Sequence, residues 1–201
     1  MTRDQIINTL IQSRGYTSYL EIGCQKNRTF NRVECLTKVG VDPEMGGTHR
    51  MTSDEYFNQN DKVFDIIFID GLHHHDQVLK DIKNAQKVIN PRGVILLHDM
   101  LPTSELMQRV PREVKEWTGD GWKAFVDMRA TNIKGKVMFV INTDYGIGYI
   151  GGSENGKPYL DFFTKLLRLK ISDDTLTWEN FDKNKQEWMN IITVEDFISM
   201  L

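Results

Sequence analysis

The feature that most constrains this chain is the run Phe64-Asp65-Ile66-Ile67-Phe68-Ile69, apolar at nearly every position. A strand with one wet face alternates apolar and polar residues, whereas a near-continuous apolar run is what a strand buried on both faces needs. Such a strand belongs inside a parallel sheet with helices on either side. The neighbourhood fits. Tyr16–Ile22 and Lys38–Val41 read as earlier strands and Val94–Leu97 as a later apolar one. Between them, His75–Ile89 carries Val78, Leu79, Ile82, Ala85, Val88 and Ile89 at helical spacing. Strand, helix, strand in succession implies parallel pairing through right-handed crossovers.

The rest of the chain is read in the same way. Thr2 to Gln5 and Thr52 to Glu55 fit capping boxes, each opening a helix. Asn27–Leu36 reads as a helix, and Asn90–Gly93 as a turn. Glu105–Trp117, broken at Pro111, and Trp122–Arg129 read as helices. Val137–Ile141 and Tyr145–Ile150 read as an antiparallel pair joined at Asn142–Asp144. The last forty residues read as helical, with Trp178, Phe181, Trp188, Met189 and Ile192 on one side. The expected architecture is α/β: a Rossmann-like, doubly wound, mostly parallel sheet of about seven strands with a C-terminal antiparallel pair, plus C-terminal helices. At 201 residues the expectation is one domain, with a core over 1–150 and a helical extension over 151–201.

Ligands of such sheets sit beyond the carboxyl ends of the strands. Those ends read Glu21-Ile22-Gly23-Cys24, Asp42, Asp70-Gly71-Leu72-His73 and His98-Asp99-Met100. Four of the five histidines, His73, His74, His75 and His98, fall at two of them. A dinucleotide loop would need three glycines for its pyrophosphate, and only Gly23 stands there, which counts against an NAD enzyme. Asp42 follows Gly23 by nineteen residues, close to the roughly twenty of a ribose-binding acid.

In YLEIGCQKN, VGVDP, FDIIFIDG and PRGVILLHD, the chain resembles class I S-adenosylmethionine (SAM)-dependent methyltransferases. IDGLHHHDQVLKDI followed by HD is similar to the small-molecule branch that includes macrocin and catechol O-methyltransferases. The resemblance implies methyl transfer to a hydroxyl of a small molecule, a sugar or glycosylated metabolite. It implies that Glu21 and Gly23 line the methionine part of SAM with Cys24 beside them, and that Asp42 holds the ribose. Ser53 and Asp54 would edge the adenine, and Asp70, Gly71 and Leu72 would approach the adenine or the sulfonium. Asp70 and Asp99 match Mg²⁺ ligand positions. The chain departs from the pattern at Met100, where catechol-type enzymes have an amide, and at His98, where macrocin-type enzymes have an acid. Imidazole suits softer metals than Mg²⁺. His73 and His98 are the candidates for the base that takes the hydroxyl proton, with Asp99 as the third catalytic position.

Plainer readings stand beside these. Ser53 and Asp54 are explained equally well by their capping box. Asp42 before Pro43 can serve as a turn cap. Most of His73–His75 can be a solvated helix cap, and Cys24 a small packing residue. Trp117 to Trp122 reads either as an acceptor-site wall or as core packing at a helix junction. Arg109, Arg112 and Lys123 read as contacts for an anionic acceptor or as surface charge. Gly146 and Gly148 ask for close packing by a helix or a partner chain, which leaves a homodimer open. With 25 Lys+Arg against 28 Asp+Glu the net charge is −3, so no nucleic-acid partner is expected. No apolar run reaches the roughly 18 residues of a membrane span, the N-terminus does not read as a signal peptide, and two cysteines make no disulfide framework. A cytoplasmic setting follows. The alternatives are a non-catalytic SAM- or nucleotide-binding module and a methyltransferase of protein or nucleic acid.

Overall fold

The computed structural model describes residues 1–131, 136–152, 172 and 174–201. In chain order the elements are α1 (Arg3–Arg14), β1 (Ser18–Ile22), α2 (Arg28–Arg32), β2 (Thr37–Val41), α3 (Ser53–Gln59), β3 (Phe64–Ile69) and α4 (His75–Val88). They continue with β4 (Ile89–Leu97), α5 (Glu105–Gln108), α6 (Trp122–Ala130), β5 (Lys136–Ile141), β6 (Ile147–Gly152), α7 (Trp178–Met189), β7 (Ile191–Ile192) and α8 (Val194–Ser199). One sheet runs β2-β1-β3-β4-β6-β5-β7. The first four strands are parallel, β6 is antiparallel to both β4 and β5, and β7 is parallel to β5.

β3 behaves as its near-continuous apolar composition requires. Ile67 and Ile69 of β3 point into one core with Val78, Ile82 and Ala85 of α4 and Trp122 and Phe125 of α6. Ile66 and Phe68 point into the other with Ile6, Ile7 and Leu10 of α1, Phe30 of α2 and Phe197 of α8. β3 is thus buried on both faces, and helices cover both sides of the sheet. α1 ends at Gly15, whose left-handed φ of 64° turns the chain into β1. α1 therefore runs antiparallel to the strands. Its twelve residues span roughly 18 Å, about the length of a five-residue strand, so its first residues emerge on the rim where the parallel strands end.

Several local expectations need correction. The helix expected over Asn27–Leu36 is only Arg28–Arg32, because Lys38 Nζ donates to the carbonyls of Phe30 and Val33 (2.7 and 2.9 Å) and closes the helix early. Asn90–Gly93 is not a free turn: it lies within β4, with a register shift opposite Phe64/Ile66. The helix expected over Glu105–Trp117 stops at Gln108. Ile192 does not join the helical apolar side; it is in β7 and faces the core of α1. The close packing at the two glycines is made within the chain by the segment after β4: Gly146 of the β5–β6 turn sits against Leu101, and Gly148 of β6 against Met100 and Leu97. The helical expectation for residues 153–171 and 173 lies outside the described residues.

Candidate active site

The carboxyl ends of β1, β3 and β4 are tied into one rim. Gly23 N donates to the Val41 carbonyl (2.9 Å), Asp70 N to Ile22 (2.8 Å) and His98 N to Ile69 (3.0 Å). Gly23 has φ +88°, and a Cβ there would lie 2.0 Å from the Asp70 carbonyl oxygen. Only glycine permits this approach. A small cleft opens on this rim, lined by Asp70, Gly71, His73, His98, Met100 and Thr118 among others.

The polar residues of the rim form one cluster. His73 Nδ1 is 3.1 Å from Asp99 Oδ2, and its Nε2 is 3.4 Å from Asp70 Oδ1. His98 Nδ1 is 3.1 Å from both Asp70 Oδ1 and Asp99 Oδ1, and its Nε2 faces Asp144 Oδ1 at 3.5 Å. Two of these residues, His73 (φ 59°) and Asp99 (φ 61°), have left-handed backbones. Such strain persists only where the surroundings over-determine it, and it concentrates at functional sites.

Burial by itself would lower the pKa of His98, but the carboxylates of Asp70, Asp144 and Asp99 outweigh it and hold His98 well above the ordinary histidine value. His73 is raised against the same burial by Asp99 and Asp70. In turn, burial would raise Asp99, yet hydrogen bonds from His73 and His98 bring it down to about 2. These shifts give pH-dependence of opposite sign. A raised histidine stabilises the fold below its unfolded value near 6.5 and loses that stabilisation as pH rises through the folded value. A depressed Asp99 stabilises above about 3.9 and loses it as pH falls towards 2. Nitrogen NMR at pH 7.5 should therefore find both ring nitrogens of His98 protonated; a neutral ring would contradict this electrostatic account. A raised pKa makes a ring hold its proton, and His98 is enclosed by three carboxylates, Asp70, Asp99 and Asp144. His73 and Asp99 retain the geometry of a base and its orienting acid.

Two members of the cluster escaped the sequence reading. Arg3, the first residue of α1, donates from Nη1 to Asp70 Oδ2 (2.9 Å), and its Nε and Nη2 form a fork on Asp144 (2.9 and 3.0 Å). Asp144 lies in the β5–β6 turn, which is bound to the end of β4 by Met100 N on Gly146 O and Leu101 N on Tyr145 O. The available signal was topological: a helix preceding the first strand starts on the same rim.

The remaining candidates fall around this centre. Glu21 is buried (1% exposed), accepts from Tyr19 Oη at 2.5 Å, and is pushed by burial to about 7. Cys24 is buried, its thiol raised by desolvation, and packs as a small core residue. Asp42 accepts three backbone amides, Gln25 at 2.8 Å, Glu44 at 2.8 Å and Met45 at 2.9 Å, so it holds the two loops together. Ser53 and Asp54 start α3 and receive Gln77 Nε2 from α4 (3.2 and 3.3 Å), with Lys80 on Asp54. Leu72 is 55% exposed on the rim. His74 is the N-cap of α4, while His75 pairs with Asp127 at 2.7 Å, which leaves His73 as the one histidine of the three in the cluster. The tryptophans divide: Trp122 is core against Phe181 (4.3 Å between centroids), and Trp117 lies 5.6 Å from the His73 ring. Arg109 pairs with Glu105 and Glu113, and Lys123 with Asp120, so these two read as surface charge.

Asp70, His73 and Asp99 each offer a ligand atom within 4.8 Å of the others. That is the outline of a metal site, but the donor set does not fit Mg²⁺. The ion prefers an all-oxygen, octahedral shell, one donor is an imidazole, Met100 offers no oxygen ligand, and cationic N–H groups already sit on the carboxylates.

Residues 17–100 match a family model described as a methyltransferase domain. No curated protein matches the chain significantly. Among solved structures, a Bacillus cereus O-methyltransferase in complex with S-adenosylhomocysteine (SAH) is 15% identical with a TM-score of 0.54, covering 74% of this chain and 80% of its own. An SAH-bound Podospora anserina methyltransferase is 14% identical at TM-score 0.53, covering 76% and 78%. An O-methyltransferase of tomaymycin synthesis from Streptomyces achromogenes, in complex with SAM, is 13% identical at TM-score 0.53, covering 75% and 79%. Over residues 17–100 the chain is similar to a methyltransferase domain, and its sheet has the fold seen in these O-methyltransferases.

Proposed function

We propose that the chain transfers a methyl group from SAM to a hydroxyl of a small molecule. The observation that carries this reading is the cleft lined by Asp70, Gly71 and His73, on the rim where Gly23 meets the Asp70 carbonyl and with Asp99 behind the histidine. SAM brings an activated methyl, so the protein must align nucleophile and methyl in a dry cleft, chiefly an orientation effect. Gly23 lets the cofactor approach the β1–β3 crossing, Glu21 sits under its methionine end, and exposed Leu72 offers an apolar edge to the adenine. Asp42, Ser53 and Asp54 shape the ribose and adenine side through the loops they fix.

His73 is the base in this reading. Thr118 O and Asp99 Oδ2, at 3.2 and 3.1 Å, both accept from Nδ1, while Nε2 lies 3.4 Å from Asp70 Oδ1 at the cleft wall. The sulfonium of SAM, a positive charge entering the same cleft, lowers the affinity of Nε2 for its proton. With that proton lost to solvent, Nε2 would take the hydroxyl proton as the oxygen displaces S-adenosylhomocysteine from the methyl. The acceptor class we infer is a sugar or glycosylated metabolite, which the half-buried Trp117 ring beside His73 could stack upon. Both thiols are unpaired, in keeping with a reducing, cytoplasmic setting. Among the described residues no helix is long and apolar enough to cross a membrane. We read 1–201 as one domain, since β7 and α8 complete the sheet and core begun by α1 and β1.

The test is transfer of labelled methyl from SAM into a panel of hydroxylated small molecules, glycosides included. Label in a small-molecule product supports the proposal. Label recovered only in protein or nucleic acid, or SAM binding without transfer to any class, would favour the corresponding alternative.

A further inference from the structure

We propose that Arg3 supplies from within the chain the positive charge that a divalent ion would bring to the Asp70–Asp99 pair, so that this site works without a metal.

The carboxylate oxygens are already taken. Asp70 Oδ2 accepts from Arg3 Nη1 at 2.9 Å, and its Oδ1 faces His98 Nδ1 at 3.1 Å and His73 Nε2 at 3.4 Å. Asp99 Oδ1 faces His98 Nδ1 and Oδ2 faces His73 Nδ1, each at 3.1 Å. Arg3 Nη1 also lies 3.1 Å from His98 Nδ1, so guanidinium and imidazole crowd the same carboxylate. Three carboxylates, Asp70, Asp99 and Asp144, thus meet Arg3 and two imidazoles. A divalent ion would have to displace these groups from the oxygens it needs.

Arg3 cannot easily be displaced. Its Nε and Nη2 form a two-pronged pair with Asp144, and its backbone N–H donates to Asp144 Oδ2 at 2.9 Å. Planar, two-pronged pairing of this kind is strong and directional. A guanidinium also keeps its charge at every ordinary pH. Behind it, α1 is anchored by Ile6, Ile7 and Leu10, all fully buried. The anchored helix thus delivers a fixed cation to the rim.

The test is titration with Mn²⁺, followed by the electron paramagnetic resonance of the free ion. This readout needs no methyl transfer, so it stands or falls separately from the function proposed above. Wild type should leave the free signal undiminished at equimolar protein in the hundred-micromolar range, and EDTA should leave turnover unchanged. Arg3→Gln, shown to be folded by circular dichroism, should take up one Mn²⁺, and Asp99→Asn in that background should abolish the uptake. If Arg3→Gln does not fold, Arg3→Met, which keeps an apolar stem and removes the charge, is used with the same expectation. Uptake of one Mn²⁺ by wild type that Asp99→Asn removes would overturn the proposal. So would a folded variant that binds Mn²⁺ no better than wild type.

Discussion

Replacing Gly23 with alanine should cost several kcal/mol of stability and abolish SAM binding in whatever fraction still folds. Two effects add. The backbone is at φ +88°, where a Cβ costs roughly 1–2 kcal/mol by itself. The new methyl would also sit 2.0 Å from the Asp70 carbonyl oxygen, 2.5 Å from its carbon and 2.7 Å from Gly71 Cα. None of these is a side chain that can swing away. Relief requires β1 and β3 to separate at the point where Asp70 N is bonded to Ile22 O, and that displacement moves Asp70 itself. Set against a typical domain stability of about 5–15 kcal/mol, the loss is large. Gly15→Ala provides the control: φ is +64° but nothing lies within 4 Å of the added Cβ, so only about 1 kcal/mol is expected. Urea unfolding of both variants separates backbone strain from the clash. Equal losses in the two would refute the close-approach argument.

The second large effect is kinetic. With an accepting hydroxyl compound in hand, His73→Ala should lower turnover by about 10²–10⁴-fold, the usual weight of a general base, while SAM affinity changes little. Asp99→Asn should lower it too and shift the pH–rate profile, since Asp99 orients the ring through Nδ1. His98→Ala should behave differently. It removes a buried cation from among Asp70, Asp99 and Asp144, and breaking a buried charge pair by deleting one partner costs about 3–5 kcal/mol. The two histidines, both at strand ends and both near the same acids, are thus separable by whether the loss appears in turnover or in the melting of the protein. Full activity in folded His73→Ala would end its assignment as base.

The contrast between the histidines marks where the sequence stops being informative. β3 was legible because six residues with almost no polar interruption admit few other fates, and α4 because its apolar residues keep helical spacing. Gly23, Asp42, Asp70 and Asp99 were legible because they follow strands directly. The charge state of His98 was not, because it depends on Asp144, which arrives from a turn 46 positions away, and on the packing that buries the ring. Arg3 was hidden for the same reason. Its capping box was visible, but its partners lie 67 and 141 positions along the chain. The short α2 shows a smaller version of this limit: the lysine that ends it belongs to the next strand. Trp117 and Trp122, five residues apart and alike on paper, were separated only by tertiary packing, one on the rim and one under α7.

The central claim is that this rim binds SAM, and isothermal titration of the purified chain with SAM, SAH and NAD tests it most directly. One-to-one binding of SAM and SAH, with no heat from NAD, is the predicted result. Tight NAD binding without SAM or SAH binding would contradict the account at its root.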